Sequence, residues 1–220
     1  KDTPVRLVSR AYRSPSSRLA YARFATLRGG ALDVGNALCL PRPRRPGEDA
    51  PWAVAPIFGV DLVAFGRDTA LVVADLSPTC EGSRGRAAQL EAMARWRDTS
   101  EVGTLPPAGP LPAWAACCLS PHALSARVGA AELTKIRVAL ARLGDTFVRL
   151  VQDGGLEPEP HRGAGPVSAG DAPGARMIDQ YLCAHRMDET SLGLLSHVFG
   201  KDWATAYRDQ VLFPTLKELA

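Results

Sequence analysis

The chain has little from which to build a stapled or metal-bound site. Its 220 residues hold five cysteines, an odd number, and no two form a CxxC pair. Cys117 and Cys118 are adjacent, which disfavours a bridge between them. So few thiols in so long a chain argue against a disulfide scaffold and for a reducing compartment. His122, His161, His185 and His197 show no ligand spacing with these cysteines, so zinc has no support. No apolar run approaches the roughly 18 residues of a membrane span, and no integral membrane protein is expected. A phosphate-cradling glycine loop and a dinucleotide fingerprint are both missing, so nucleotide, flavin and metal cofactors are not signalled. Nor is there a nucleic-acid recognition module or a basic stretch interleaved with aromatics. The chain opens at Lys1 with neither Met nor an apolar leader. A trimmed or processed form is expected, with any targeting segment out of view.

What is present is ordinary for one globular domain over residues 1–220: 46% hydrophobic and 22% charged residues, enough for a full core and against wholesale disorder. The net charge of +3 hides an asymmetry. Residues 1–46 carry ten basic side chains against two acids, a net of +8, which leaves −5 for the remainder. A basic half suits an acidic partner or an anionic ligand; its alternative is a solvated face. Arg42, Arg44 and Arg45 are the densest part of it.

Strands are expected at Val5–Ser9, Ala31–Leu40, Ile57–Phe65 and Ala70–Leu76, the last two joined by a hairpin at residues 66–69. Arg18–Leu27 has helical spacing (Leu19, Ala22, Phe24, Leu27) and stops at Gly29-Gly30, which predicts a helix. Tyr12–Ser17 reads as a turn, and Pro41–Pro56 and Asp153–Pro173 as loops, the latter mobile. Helices are expected at Gly82–Trp96, Ala131–Val151, Arg176–His185, around Leu192–Val198 and at Lys201–Gln210. Ile136, Leu140, Leu143, Phe147 and Leu150 form one apolar stripe. Trp114–Leu119 is a short apolar element of either kind. Strands first and helices later predict an α+β fold with helices covering an antiparallel sheet.

Two polar residues sit where apolar ones belong. Asp61 alternates with Ile57, Gly59, Val63 and Phe65; Asn36 alternates with Leu32, Val34, Leu38 and Leu40. A carboxyl on an apolar strand face must be protonated, paired or hydrogen-bonded, and a buried amide needs partners. Both could be register-fixing structural groups, or both could line one pocket, with Gly59 leaving room for a flat ligand. Asp75, before Leu-Ser-Pro, suits a strand end and turn. Asp188, before an apolar helical stretch, suits an N-cap.

The segments Val34–Pro43, Pro56–Ala64 and Val73–Pro78, then Tyr181, Asp188, Phe199–Trp203, Tyr207 and Val211–Phe213, together resemble the ferredoxin-dependent bilin reductases. Tyr12–Pro15 and Arg18 fit as well, and the match runs in order from about Val5 to Phe213. The resemblance implies a three-layer α/β/α sandwich with biliverdin IXα between the sheet and the C-terminal helices. It implies two-electron reduction through a bilin radical, with electrons from ferredoxin and no bound redox cofactor. A monomer is expected, in a plastid stroma if eukaryotic and otherwise in the cytoplasm.

The resemblance assigns catalytic roles to Asp61, Asp188 and Asn36, with Glu189 competing for the Asp188 position. It assigns substrate-binding roles to Gly59, His185, Arg186 and Arg23. The Asn36–Asp61 pair is similar to members that reduce the 15,16 bridge to 15,16-dihydrobiliverdin, equally to members that continue to phycoerythrobilin, and to some that make phycocyanobilin. Arg23 stands where members that reduce the D-ring vinyl group carry Glu on an early helix. Ser120-Pro121 stands where the family has a propionate-binding arginine. The alternatives are a bilin carrier without turnover and a red chlorophyll catabolite reductase.

Overall fold

The computed structural model describes residues 4–13, 18–29, 32–43, 55–66, 68–80, 83–152 and 174–219. Residues 14–17 of the expected turn Tyr12–Ser17, most of the 41–56 loop, the 153–173 loop, and Arg44 and Arg45 lie outside them; Tyr12 and Arg13 are strand rather than turn.

Six strands form one antiparallel meander in chain order: β1 (Arg6–Arg13), β2 (Leu19–Gly29), β3 (Leu32–Pro41), β4 (Ile57–Phe65), β5 (Thr69–Ser77) and β6 (Leu124–Gly129). Helix α1 (Ser83–Thr99) follows β5, and the four-residue α2 (Ala113–Ala116) precedes β6. Then come α3 (Leu133–Gln152), α4 (Ala175–Arg186), α5 (Glu189–Phe199), α6 (Lys201–Tyr207), a π turn at Arg208–Leu212 and α7 (Leu216–Leu219). The α+β class and the sheet flanked by helices agree with the sequence reading.

Two expectations need correction. Residues 19–29 are strand rather than helix. Tyr21, Arg23, Ala25 and Leu27 are all buried on one face, and Arg23 in the middle of that row hides the period of two from a hydrophobicity reading. Strand β6 had no counterpart in the sequence reading. Leu124, Ala126 and Val128 are buried with Ser125 and Arg127 between them, an alternation only six residues long.

One sheet face packs on α1 and α3. Phe58, Val60, Val72, Ala74 and Leu76 meet Met93 and Trp96 of α1 and the predicted stripe of α3. Trp96 donates its indole N–H to the Ala139 carbonyl at 2.8 Å, tying the two helices, and the rings of Phe58 and Phe147 lie 5.3 Å apart. Leu143 is fully buried at the centre of this layer. Leu143→Ala should cost about 2–5 kcal/mol in urea unfolding and leave bilin binding alone, because α3 lies on the side of the sheet away from the polar residues described next.

The opposite face packs on α4 through Tyr21, Leu38, Leu40 and Ile57 against Ile178, Tyr181, Leu182 and Ala184. The segment α5–α6 adds a smaller cluster, Leu195, Ala204 and Tyr207, over Leu7 of β1.

Candidate active site

The register of β2, β3 and β4 decides the site. Asn36 pairs directly with Asp61, and Arg23 pairs with Leu38, one step along the same face. Period-two alternation therefore aims Arg23, Asn36 and Asp61 at the α4–α6 side. The side chains join into a row across three strands. Arg23 Nη2 donates to Asn36 Oδ1, and Asn36 Nδ2 donates to Asp61 Oδ1. Arg23 is 0% exposed, and its Nε and Nη1 have no partner among the described residues. It is fully covered on this face and backs Asn36.

Beyond this row the same face is only partly covered. Val34, Val63, Leu71 and Val73 are half-buried, unlike Leu38 and Ile57 under α4. They give this face a partly exposed apolar stretch, here called the cup, with Asn36 and Asp61 at its edge and Ser125 and Arg127 of β6 at its far side, opposite Val73 and Leu71.

Burial pushes the Asp61 carboxyl above its ordinary range. The Asn36 hydrogen bond and the Arg23 charge pull it down, and Asp188 pushes it up. The net shift is upward, toward the protonated form from which a proton can be delivered.

Gly59 does not open space for a ligand as expected. A Cβ there would lie 2.7 Å from the Tyr181 hydroxyl, so the missing side chain admits Tyr181 from α4. Tyr181 is 3% exposed, and burial holds its phenol well above the usual value. His185, one turn on, is stacked among Trp114, Tyr181 and Phe213 at ring separations of 4.2–5.0 Å. Burial lowers its pKa to about 4, so it is a neutral ring in the roof rather than a cationic donor. Its Nε2 has no described partner.

Arg186 turns from the cup. Its Nε donates to the Phe213 carbonyl at 2.8 Å and its Nη2 to the Asp209 carbonyl at 3.4 Å, clamping the C-terminal segment onto α4. Asp188 caps α5: it accepts from Thr190 N at 3.2 Å and from the Ser191 hydroxyl. Its charge is nonetheless felt by both Asp61 and His185. Glu189 is the first residue of α5 and exposed.

Asp75 and Ser120 form a structural tie that spacing alone does not reveal. Asp75 is 1% exposed and accepts from Ser77 Oγ at 2.6 Å, from Ser120 N at 2.7 Å and from Ser120 Oγ. Ser120, which stands where the resemblance implies a propionate-binding arginine, is thus spent on satisfying a buried carboxyl group.

A family model described as ferredoxin-dependent bilin reductase matches residues 2–214. Among solved structures, phytochromobilin synthase from tomato in complex with biliverdin superposes with a TM-score of 0.75 at 17% identity, covering 98% of this chain and 72% of that one.

Proposed function

Because the chain belongs to the ferredoxin-dependent bilin reductases, we propose that it reduces biliverdin IXα at the 15,16 bridge to 15,16-dihydrobiliverdin. Ferredoxin is the electron donor of this family, and the chain is an oxidoreductase of it. The observation that supports the regiochemistry is the row Arg23–Asn36–Asp61. It has Asp61 beside an amide and a guanidinium that cannot readily give up a proton at neutral pH, while the other described acid on this sheet face, Asp75, is engaged by Ser77 and Ser120.

The reaction adds two electrons and two protons across the C15–C16 double bond. One C–H bond forms at each carbon as the π bond is lost, and two reduced ferredoxins leave oxidised. Asp61 gives up a proton once an electron has made the bilin basic, and is reprotonated from solvent before the next. Tyr181 and the His185 stack close the α4 side against water, which keeps the acid weak and a bilin radical shielded. Arg127, the exposed cation on the site face of β6, is placed to meet a bilin carboxylate.

A second step at the A-ring, giving phycoerythrobilin, would require Asp188 as donor. Its carboxylate is engaged by Thr190 and Ser191, which favours stopping after one. Anaerobic turnover with biliverdin, ferredoxin, its reductase and NADPH should yield 15,16-dihydrobiliverdin that persists, identified by chromatography against bilin standards. Later conversion to phycoerythrobilin would assign Asp188 a second step. Phycocyanobilin or phytochromobilin as first product would overturn the regiochemistry, and a spectral change on mixing without turnover would leave a carrier.

A further inference from the structure

We propose that Arg23 is a positioning residue that determines which oxygen of Asp61 carries the transferable proton. The inference rests on Asp61 being the donor, and it follows from the directionality of the two hydrogen bonds in the row.

A guanidinium has only donors. Whatever faces Arg23 must accept, so Asn36 turns its carbonyl oxygen to Arg23 and its NH₂ to Asp61. The reverse amide orientation would set NH₂ against Arg23, donor to donor. With Asn36 Nδ2 donating to Asp61 Oδ1, that oxygen accepts, and a proton between the two atoms would clash with the amide hydrogen. The acid proton therefore sits on Oδ2, to which no described group donates. Without the arginine an asparagine could flip. Its carbonyl could then accept the Asp61 proton and hold it inside the sheet, directed away from the substrate.

Arg23 also carries a charge with no carboxylate in contact among the described residues. A buried cation whose Nε and Nη1 have no described partner is costly. The cost falls when negative charge appears nearby, which happens each time Asp61 delivers its proton. Arg23 thus favours the product of each proton transfer as well as aiming its start. The other charged or titratable groups facing Asp61 are Asp188 at the α4–α5 junction and Tyr181 of α4, with His185 on α4 and Asp75 on β5 next to them. None of them bonds to Asn36, so they cannot set its orientation.

The test compares Arg23→Met and Arg23→Lys with Asp61→Asn, measuring kcat and biliverdin KM across pH, bilin-binding spectra and thermal melts. Arg23→Met should lower kcat by up to about 100-fold, with KM little changed. It should move the alkaline limb of the pH–rate profile upward, because Asp61 loses both the orienting donor and the positive charge. Arg23→Lys, which keeps a charge and a donor, should recover most of the rate and the original limb. A lost contact that merely loosened the fold would lower the melt without displacing that limb. If Arg23→Met does not fold, Asn36→Leu breaks the row at its middle and should displace the limb in the same direction. A wild-type profile in Arg23→Met, or in Asn36→Leu where it stands in, overturns the proposal, as does Arg23→Lys behaving like Arg23→Met. Those failures leave Asp61 as donor. Normal turnover by Asp61→Asn would instead remove the reading on which the proposal stands.

Discussion

Asp61→Asn should bind biliverdin and fail to reduce it. The substitution keeps the shape of the side chain and its place opposite Asn36, and removes the acid paired with that amide. Loss of a positioned acid costs about 10²–10⁴-fold in rate, and single electrons delivered to bound bilin should accumulate as radical, read by its absorbance and paramagnetic resonance. Stability should move the other way. The folded carboxyl is held above its unfolded value, so the stability tied to its protonation is fully present below the unfolded pKa and lost as pH rises through the folded one. Asparagine has no such loss. The variant should therefore melt at or above the wild-type temperature in alkaline buffer, with a smaller difference in acid. Near-wild-type turnover would exclude Asp61 as donor. A large fall in melting temperature at every pH would mean that the carboxyl serves the fold first.

Raising the ionic strength should slow the enzyme through ferredoxin alone. Arg6, Arg10 and Arg28 are exposed on one face of the β1–β2 pair, and Arg6 lies directly opposite Arg28. Like charges in that position weaken a strand pair, which makes a compensating acidic partner reasonable. Val8, Tyr12 and Phe24, 38%, 55% and 50% exposed, share the face and supply apolar contact. Steering of this kind changes association rates by about 10- to 1000-fold. Arg6→Glu, Arg10→Glu and Arg28→Glu together should raise the ferredoxin KM about tenfold or more, and about 0.3 M salt should mimic them in the wild type. Biliverdin affinity should not change. The basic run at Arg42, Arg44 and Arg45 has one described member, and Arg42 is half-buried, its backbone N–H bonded to the Arg18 carbonyl at 2.8 Å. An unaltered ferredoxin KM in the triple variant would move docking to another surface.

Asp61 and Asn36 were legible because each interrupts an otherwise apolar alternation, so a polar residue on a buried face announced itself. Arg23 interrupted its own strand in the same way, but the surrounding residues also fit a helical spacing, and the charge at the centre tipped the reading wrongly. Its partnership with Asn36 became visible only once the register of β2 on β3 was known. The roof was harder still. Tyr181 fills the space over Gly59 across more than a hundred residues of chain, and no local pattern encodes such a contact. The Asp75–Ser120 tie was invisible for the same reason, although the strand-ending role of Asp75 could be read from Leu-Ser-Pro after it.

The strictly sequential order of the sheet bears on how the molecule is made. Every strand pairs with its neighbour in the chain; the pairings from β1 to β5 close short loops, whereas β6 joins β5 only after α1 and α2, and contacts of low sequence separation form early. Strands β2, β3 and β4 have left a ribosome before α4 is synthesised. Arg23, Asn36 and Asp61 can thus be aligned by hairpin growth while the sheet still lacks its roof. Until α4 docks, the nascent domain displays a charged row on an apolar surface. Folding mutants of α4 should accordingly yield a species with native sheet structure that binds hydrophobic dyes and is prone to aggregate.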